Sequence, residues 1–160
     1  MIAVGEKIPD VPLTTVDAAG TTESVRSGEL FGSGRTVLFG VPAAFSPTCS
    51  DAHLPGFVAK AGEISAKGVD RIVCVSVNDP FVMTAWAKDQ GVEGVIMLAD
   101  GSALFAKAMG LDLDGTDFGL GIRSQRYASI IDDGTLTWID VEAAPPDHEV
   151  STADVVLTKL

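Results

Sequence analysis

Residues 36–57 read TVLFGVPAAFSPTCSDAHLPGF. Their first part, 36–41, is a short apolar run rich in β-forming residues, which is typical of a buried strand. A proline-rich loop over 42–49 follows, and from about Thr48 the pattern becomes helical. Apolar residues then recur at spacings of three and four, which places one apolar stripe on a helix that Gly68 ends. The stripe consists of Leu54, Phe57, Val58, Ala61 and Ile64.

The alternation of strand and helix continues on both sides of this segment. The predicted elements are a strand over 11–15, a buried strand over 71–77, a helix over 80–90, a strand over 95–98, a helix over 102–109, strands over 127–131 and 136–139, and a last helix that opens at 151–154. Asp79 and Pro80 are a favourable N-cap and first helical residue, and Gly91 ends that helix. The Asp133-Gly134 pair predicts a hairpin between the last two strands.

This order of elements predicts an α/β fold. Strands that alternate with helical crossovers form a parallel sheet, and the hairpin adds antiparallel strands to it. We therefore expect a mixed central β-sheet flanked by α-helices, with a thioredoxin-like layout. The length of 160 residues fits one domain over 1–160. Pro55 and Gly56 predict an uneven start or a kink in the helix that follows the proline-rich loop.

Composition excludes several classes of function. The chain carries 22 acidic and 11 basic residues, a net charge of -11, which argues against nucleic acid or an anionic membrane surface as a partner. Two cysteines without a C-x-x-C pair exclude a disulfide scaffold, a zinc ribbon and a dithiol motif, and we expect no metal or other cofactor. The N-terminus lacks a signal-peptide pattern, and no apolar stretch approaches the roughly 20 residues of a membrane span. A cytoplasmic protein is therefore expected.

Cys49 is the leading candidate for chemistry. It follows a buried strand by one loop and stands at the predicted start of a helix. Free backbone N–H groups and the positive end of the helix dipole stabilise an anion there, and the thiolate is the reactive form of cysteine. The alternative is a small buried cysteine that only packs.

Residues 40–57 resemble the active-site segment of the peroxiredoxins, in the atypical type II, peroxiredoxin-5-like branch of the thioredoxin-like redoxins. That family carries Pro, three residues, Thr or Ser, two residues, and the peroxidatic Cys. Here the pattern is Pro42, Ser46 and Cys49. The resemblance extends through 75–82 and 98–101 to the stretch around Arg126 and the terminal helix, so it covers nearly the whole chain.

The resemblance implies a role for each of these residues. Cys49 attacks a peroxide oxygen and becomes a sulfenic acid. Ser46 hydrogen-bonds the peroxide, Pro42 packs over the thiol and excludes water, and Arg126 supplies a cation that favours the thiolate. Simpler roles compete: Pro42 as the end of a strand, Ser46 as a turn residue, and Arg123 as the relevant cation in place of Arg126. We favour Arg126 because a strand begins directly after it, as the family pattern requires. Ser46 stands where Thr is usual, so it keeps the hydroxyl and lacks the methyl group.

The second cysteine decides how the enzyme would be reduced. Cys74 lies inside an apolar strand, so we expect it to be a packing residue; the alternative is a resolving cysteine that pairs with Cys49. Relatives with an intramolecular disulfide often carry the resolving cysteine in the C-terminal third, where this chain has none. The resemblance thus implies one-Cys chemistry with an external reductant, glutathione with glutaredoxin first and thioredoxin second. It also implies a homodimer, for which Phe45 and Phe81 would supply a flat apolar face.

Two other functions remain open from the sequence. One is a non-enzymatic redox sensor or interaction module on the same scaffold, which would also use a reactive Cys49. The other is a cysteine hydrolase with His53 as the base, although no orienting Asn or Asp is evident. For His53 we expect a structural role or a place at an interface, and for His148 a surface loop.

Overall fold

The computed structural model describes residues 1–160, which form nine strands, five α-helices, one π-helical turn and one 3-10 turn. The strands are β1 (Pro12–Val16), β2 (Thr22–Arg26), β3 (Arg35–Val41), β4 (Arg71–Ser76), β5 (Ile96–Ala99), β6 (Asp112–Asp114), β7 (Ile122–Ser124), β8 (Tyr127–Asp132) and β9 (Thr135–Val141). The helices are α1 (Ser27–Leu30), α2 (Leu54–Ala66), α3 (Pro80–Gln90), α4 (Leu104–Met109) and α5 (Ala153–Lys159), with the π turn at Cys49–His53 and the 3-10 turn at Thr116–Phe118.

Seven strands form one mixed sheet in the order β2-β1-β5-β4-β3-β8-β9. The central strands β3, β4 and β5 are parallel, since helical crossovers join them, and the strands on either side pair antiparallel. This confirms the predicted α/β sheet. The antiparallel pair β6-β7 forms a separate small sheet. No helix in the structure has the length and apolar character that a membrane crossing requires.

Both faces of the sheet are covered by packed side chains. Alternate residues of the central strands point to opposite sides of the sheet, so each face contributes to a separate core cluster. Phe39 and Cys74 belong to a core cluster that also contains Phe57 of α2 and Trp86 of α3. Leu38, on the opposite face of β3, belongs to a second cluster with residues of α4. Cys49 lies in the first cluster, so the candidate site is built into the core on the α2 and α3 side.

The structure corrects the sequence analysis mainly in short polar elements. It adds β2, α1, β6 and β7, which the sequence analysis missed. Strand β2 is mostly exposed, so it carries no apolar alternation, and its pairing with β1 is what orders it. The predicted hairpin is confirmed: Asp133 and Gly134 both have positive φ, at 47° and 77°.

The helix after the proline-rich loop begins with a π-helical turn over Cys49–His53. The N–H of Leu54 donates to the carbonyl of Cys49, five residues earlier, in place of the usual four. Pro55 has no N–H to donate to the preceding turn, which removes one of the bonds that would hold that turn in α geometry. The predicted uneven start is thus present, and it lies at Cys49 itself.

Candidate active site

The proline-rich loop brings Cys49 to the carboxyl end of β3. Pro42 directly follows the strand and is buried. Asn78, at the end of the neighbouring strand, secures the loop: its Oδ1 accepts the N–H of Ala44 at 3.0 Å and the hydroxyl of Ser76 at 2.6 Å. No sequence signal distinguishes Asn78, because an Asn after a strand is an ordinary turn residue.

Ser46 is oriented by its own loop. Its Oγ donates to the carbonyl of Ala43 at 2.8 Å, and its carbonyl accepts the N–H of Ser50 at 2.9 Å. A hydroxyl has one proton and two lone pairs. Because Ala43 takes the proton, the oxygen of Ser46 remains available as an acceptor for an O–H donor.

Cys49 and Arg126 meet inside the protein, although 77 positions separate them in the chain. Nη2 of Arg126 donates to Sγ of Cys49 at 3.2 Å, and the two residues are 2% and 0% exposed. A guanidinium is a permanent cation, so this contact brings a fixed positive charge to the buried sulfur. Of the two candidate cations, the structure therefore places Arg126 at the thiol.

The register between β3 and β8 sets the position of Arg126. Tyr127, the next residue, pairs with Gly40 of β3, and its ring occupies the space where a Cβ on Gly40 would lie. Only glycine leaves room for the ring at this point. Arg126 is thereby held at the end of β3 at which Cys49 lies. Arg123 instead donates to the carbonyls of Val77 and Leu120, at 2.7 Å and 2.8 Å.

His53 is part of the same buried cluster. Its Nδ1 lies 2.9 Å from Nη1 of Arg126, and its Nε2 lies 3.0 Å from the carbonyl of Ser151. A carbonyl can only accept, so Nε2 carries the proton and Nδ1 accepts from the guanidinium. Burial, with the charge of Arg126 and the neighbouring His148, lowers the pKa of His53 well below its usual value. His53 is therefore a neutral residue that holds Arg126 in place.

The contacts of the two histidines support the expected structural role of His53 and exclude its other candidate roles. His53 is fully buried, so it does not line an interface. Its two ring nitrogens are occupied by Arg126 and Ser151, so it is not placed as the base of a cysteine hydrolase. His148 lies in the loop between β9 and α5, as expected, but it is half-buried, and its ring lies 4.9 Å from that of His53.

Cys74 lies in the core, as expected. It is fully buried in β4 between Phe39 and Met97 on the neighbouring strands. Burial raises the pKa of the Cys74 thiol well above its usual value, and the nearby Cys49 adds to the effect. Both cysteines are free. A buried neutral thiol is a poor nucleophile toward a second sulfur.

Comparison with known proteins assigns the family. The redoxin family model matches residues 3–157. Peroxiredoxin-2B of Arabidopsis thaliana is 44% identical over 160 residues, which cover 99% of this chain and 98% of that protein. The chain belongs to the peroxiredoxins. Peroxiredoxins are thiol peroxidases, so it is an oxidoreductase of that class.

Two further peroxiredoxins support the assignment. Chloroplastic peroxiredoxin-2E-2 of Oryza sativa subsp. japonica is 49% identical over 146 residues; the match covers 88% of this chain but only 65% of the rice protein. The crystal structure of reduced Prx3 in complex with H2O2 from Vibrio vulnificus is 50% identical, with a TM-score of 0.91. The superposition covers 99% of this chain and 96% of the Vibrio chain. The expected type II, thioredoxin-like peroxiredoxin fold is thus confirmed.

Proposed function

We propose that this peroxiredoxin reduces hydrogen peroxide and alkyl hydroperoxides through Cys49. The contact between the Arg126 guanidinium and the Cys49 sulfur, inside a buried site, is the observation that carries the proposal. A permanent cation at a buried thiol stabilises the thiolate and is in place to offset charge on the oxygen that leaves. The Vibrio relative was crystallised with H2O2, which agrees with this substrate class.

In the proposed reaction, the Cys49 thiolate attacks one peroxide oxygen and the O–O bond breaks. The sulfur becomes a sulfenic acid, and the second oxygen takes a proton and leaves as water or an alcohol. Ser46 accepts the peroxide O–H with the lone pairs that Ala43 leaves free. Pro42, buried directly after β3, excludes water from the thiol.

We propose one-Cys chemistry for the return to the thiol. An external thiol condenses with the sulfenic acid to a mixed disulfide and water, and a second thiol then releases Cys49. Glutathione with glutaredoxin is the reductant we favour, and thioredoxin is the second choice. The proposal rests on the buried, neutral Cys74 and on the lack of a third cysteine in the sequence.

The assembly and the compartment are proposals of the same kind. Phe45, on the loop before Cys49, and Phe81, in the first turn of α3, are 50% and 84% exposed, and a homodimer would bury them. Sedimentation velocity of the wild type and of Phe81→Asp tests this, with a shift to monomer expected in the variant. Two free cysteines suit a reducing compartment such as the cytoplasm. The rice relative is named chloroplastic, which widens that expectation to reducing compartments in general.

Peroxide consumption with a recycling reductant tests the function. We expect the wild type to turn over many times with glutathione and glutaredoxin, and Cys49→Ser to consume none. Unchanged consumption by Cys49→Ser would show that another residue reacts. A single turnover with every reductant offered would favour the redox sensor over the enzyme. Mass spectrometry after one equivalent of peroxide checks the one-Cys step, because a disulfide between Cys49 and Cys74 would contradict it.

A further inference from the structure

The segment between β9 and α5 is a loop whose two ends are joined by one carboxylate. Oε1 of Glu142 accepts the N–H groups of Glu149, Val150 and Ser151, at 2.8, 2.8 and 2.9 Å, and the Ser151 hydroxyl at 2.8 Å. Glu142 is 7% exposed. Burial raises its pKa, but the hydrogen bonds from Ser151, Glu149 and Val150 outweigh burial and leave the pKa below its usual value.

The loop that Glu142 closes supplies the outer support of Arg126. The carbonyl of Pro145 accepts Nε of Arg126 at 3.1 Å. A turn presents that carbonyl, because the N–H of Asp147 donates to the carbonyl of Ala144 and the N–H of Ala144 donates to the Asp147 carboxylate. The two backbones are also joined directly, because the N–H of Glu142 donates to the carbonyl of Arg126 at 2.9 Å.

The far end of the same loop supports His53. The Ser151 carbonyl accepts Nε2 of His53, and Nδ1 of His53 accepts Nη1 of Arg126. Two of the three hydrogen bonds that orient the guanidinium therefore depend on a loop held by Glu142. The third is the bond to Cys49 itself.

We propose that Glu142 is a positioning residue of the peroxidase site, which holds the Arg126 guanidinium against Cys49 through both ends of loop 142–151. Glu142 has no hydrogen bond to the sulfur, and it acts only through Pro145 and through Ser151 with His53. The proposal rests on the proposed peroxidase function for its kinetic consequence. Its structural part, the coupling of Glu142 to the state of the thiol, is independent of peroxide.

The geometry also indicates which property of the Glu142 side chain holds the loop. Four donors converge on one oxygen, so the essential feature is an acceptor at that point. Glu142→Gln keeps a carbonyl oxygen at the same reach and loses the charge. Glu142→Ala leaves four donors without a partner, and Glu142→Asp keeps the charge but shortens the side chain by one methylene. Glu149→Ala is the matched control, since it removes an exposed carboxylate from the same loop and keeps the N–H that binds Glu142.

The test measures two rates at Cys49. All variants are made in a Cys74→Ala background, so that Cys49 is the only thiol in the protein. The first is the second-order rate of oxidation by H2O2. The second is the rate of alkylation by iodoacetamide at pH 7, which reports the reactivity of Cys49 without peroxide. For Glu142→Ala we expect a loss on the order of tenfold in both rates, short of the roughly 100-fold cost of a 1 Å misplacement. Glu142→Gln recovers most of both rates.

Full rates in folded Glu142→Ala, or an equal loss in Glu149→Ala, overturn the proposal. A Gln variant as slow as the Ala variant also overturns it, because the acceptor would then not be the essential feature. Should Glu142→Ala fail to fold, Glu142→Asp takes its place, with the same losses expected and wild-type rates contradicting the proposal. A wild type that does not react with H2O2 refutes the proposed function, while the alkylation rates of the variants still decide the role of Glu142.

Discussion

Replacement of Arg126 by methionine removes the buried cation from Cys49 and keeps an unbranched side chain in its place. In the wild type, Nη2 lies 3.2 Å from Sγ, and the residue is 2% exposed. The variant also leaves Nδ1 of His53 and the carbonyl of Pro145 without their donors. The unpaired Nδ1 of the buried His53 costs about 1–3 kcal/mol of stability, so unfolding is measured beside the kinetics.

The kinetic effect follows from the short distance between the two groups. Two unit charges 3.2 Å apart interact by about 5 kcal/mol at an effective dielectric constant of about 20. Only the part of this energy that is gained in the transition state lowers the barrier. Single donors in such sites contribute about 2.7–4 kcal/mol, so we expect the second-order rate with H2O2 to fall by about 100- to 1000-fold.

Stopped-flow fluorescence provides the assay. The indole N–H of Trp86 donates to Oγ of Ser50 at 3.0 Å, beside Cys49, so its emission should follow oxidation of the sulfur. Arg123→Met is the matched control. Arg123 lies three residues before Arg126, and its replacement also removes a cation and two hydrogen bonds to backbone carbonyls. We expect its rate to stay within about twofold of the wild type, since Arg123 has no contact with Cys49. The reasoning is refuted if folded Arg126→Met reacts as fast as the wild type, or if Arg123→Met loses as much.

Three further outcomes are expected. Gly40→Ala should lower the free energy of unfolding by about 1–3 kcal/mol and slow peroxide reduction, because the new Cβ displaces the ring of Tyr127. Denaturant titration measures the stability, and stopped-flow measures the rate. The control is Gly62→Ala in α2, where a new Cβ meets no other atom; it should gain about 0.5–1 kcal/mol of stability and keep full activity. A loss in both variants, or in neither, contradicts the overlap. Since the folded pKa of Glu142 lies below 4.5, its stabilisation is present above that pH and lost as pH falls through the folded pKa. The stability difference between the wild type and Glu142→Gln should therefore shrink from pH 6 to pH 4 in denaturant titrations, and a constant difference would argue against it. Cys74→Ala should keep turnover with glutathione and glutaredoxin, and a stalled sulfenic acid in that variant would make Cys74 a resolving cysteine after all.

Local signals in the sequence were sufficient for the central elements. The apolar runs over 36–41 and 71–77, with helices between them, predict parallel strands, because only buried strands are apolar on both faces. The pair Asp79-Pro80 predicts the start of α3, and the pair Asp133-Gly134 predicts the turn between β8 and β9. Both predictions rest on the backbone preferences of single residues. The elements that were missed, β2 and β6 among them, are mostly polar and exposed, so only pairing with a neighbour orders them.

By itself the sequence determined the α/β class and the family motif of Pro42, Ser46 and Cys49, since these lie within one short segment and depend on local spacing. The sequence also favoured Arg126 over Arg123, but only the tertiary structure shows that Arg126 contacts the thiol and what holds it there. Arg126 reaches Cys49 through the register of β8 on β3, and Glu142 reaches His53 only through a folded loop. Hydrogen bonds between residues far apart in the chain depend on how strands and loops pack, and no local pattern in the sequence records that packing.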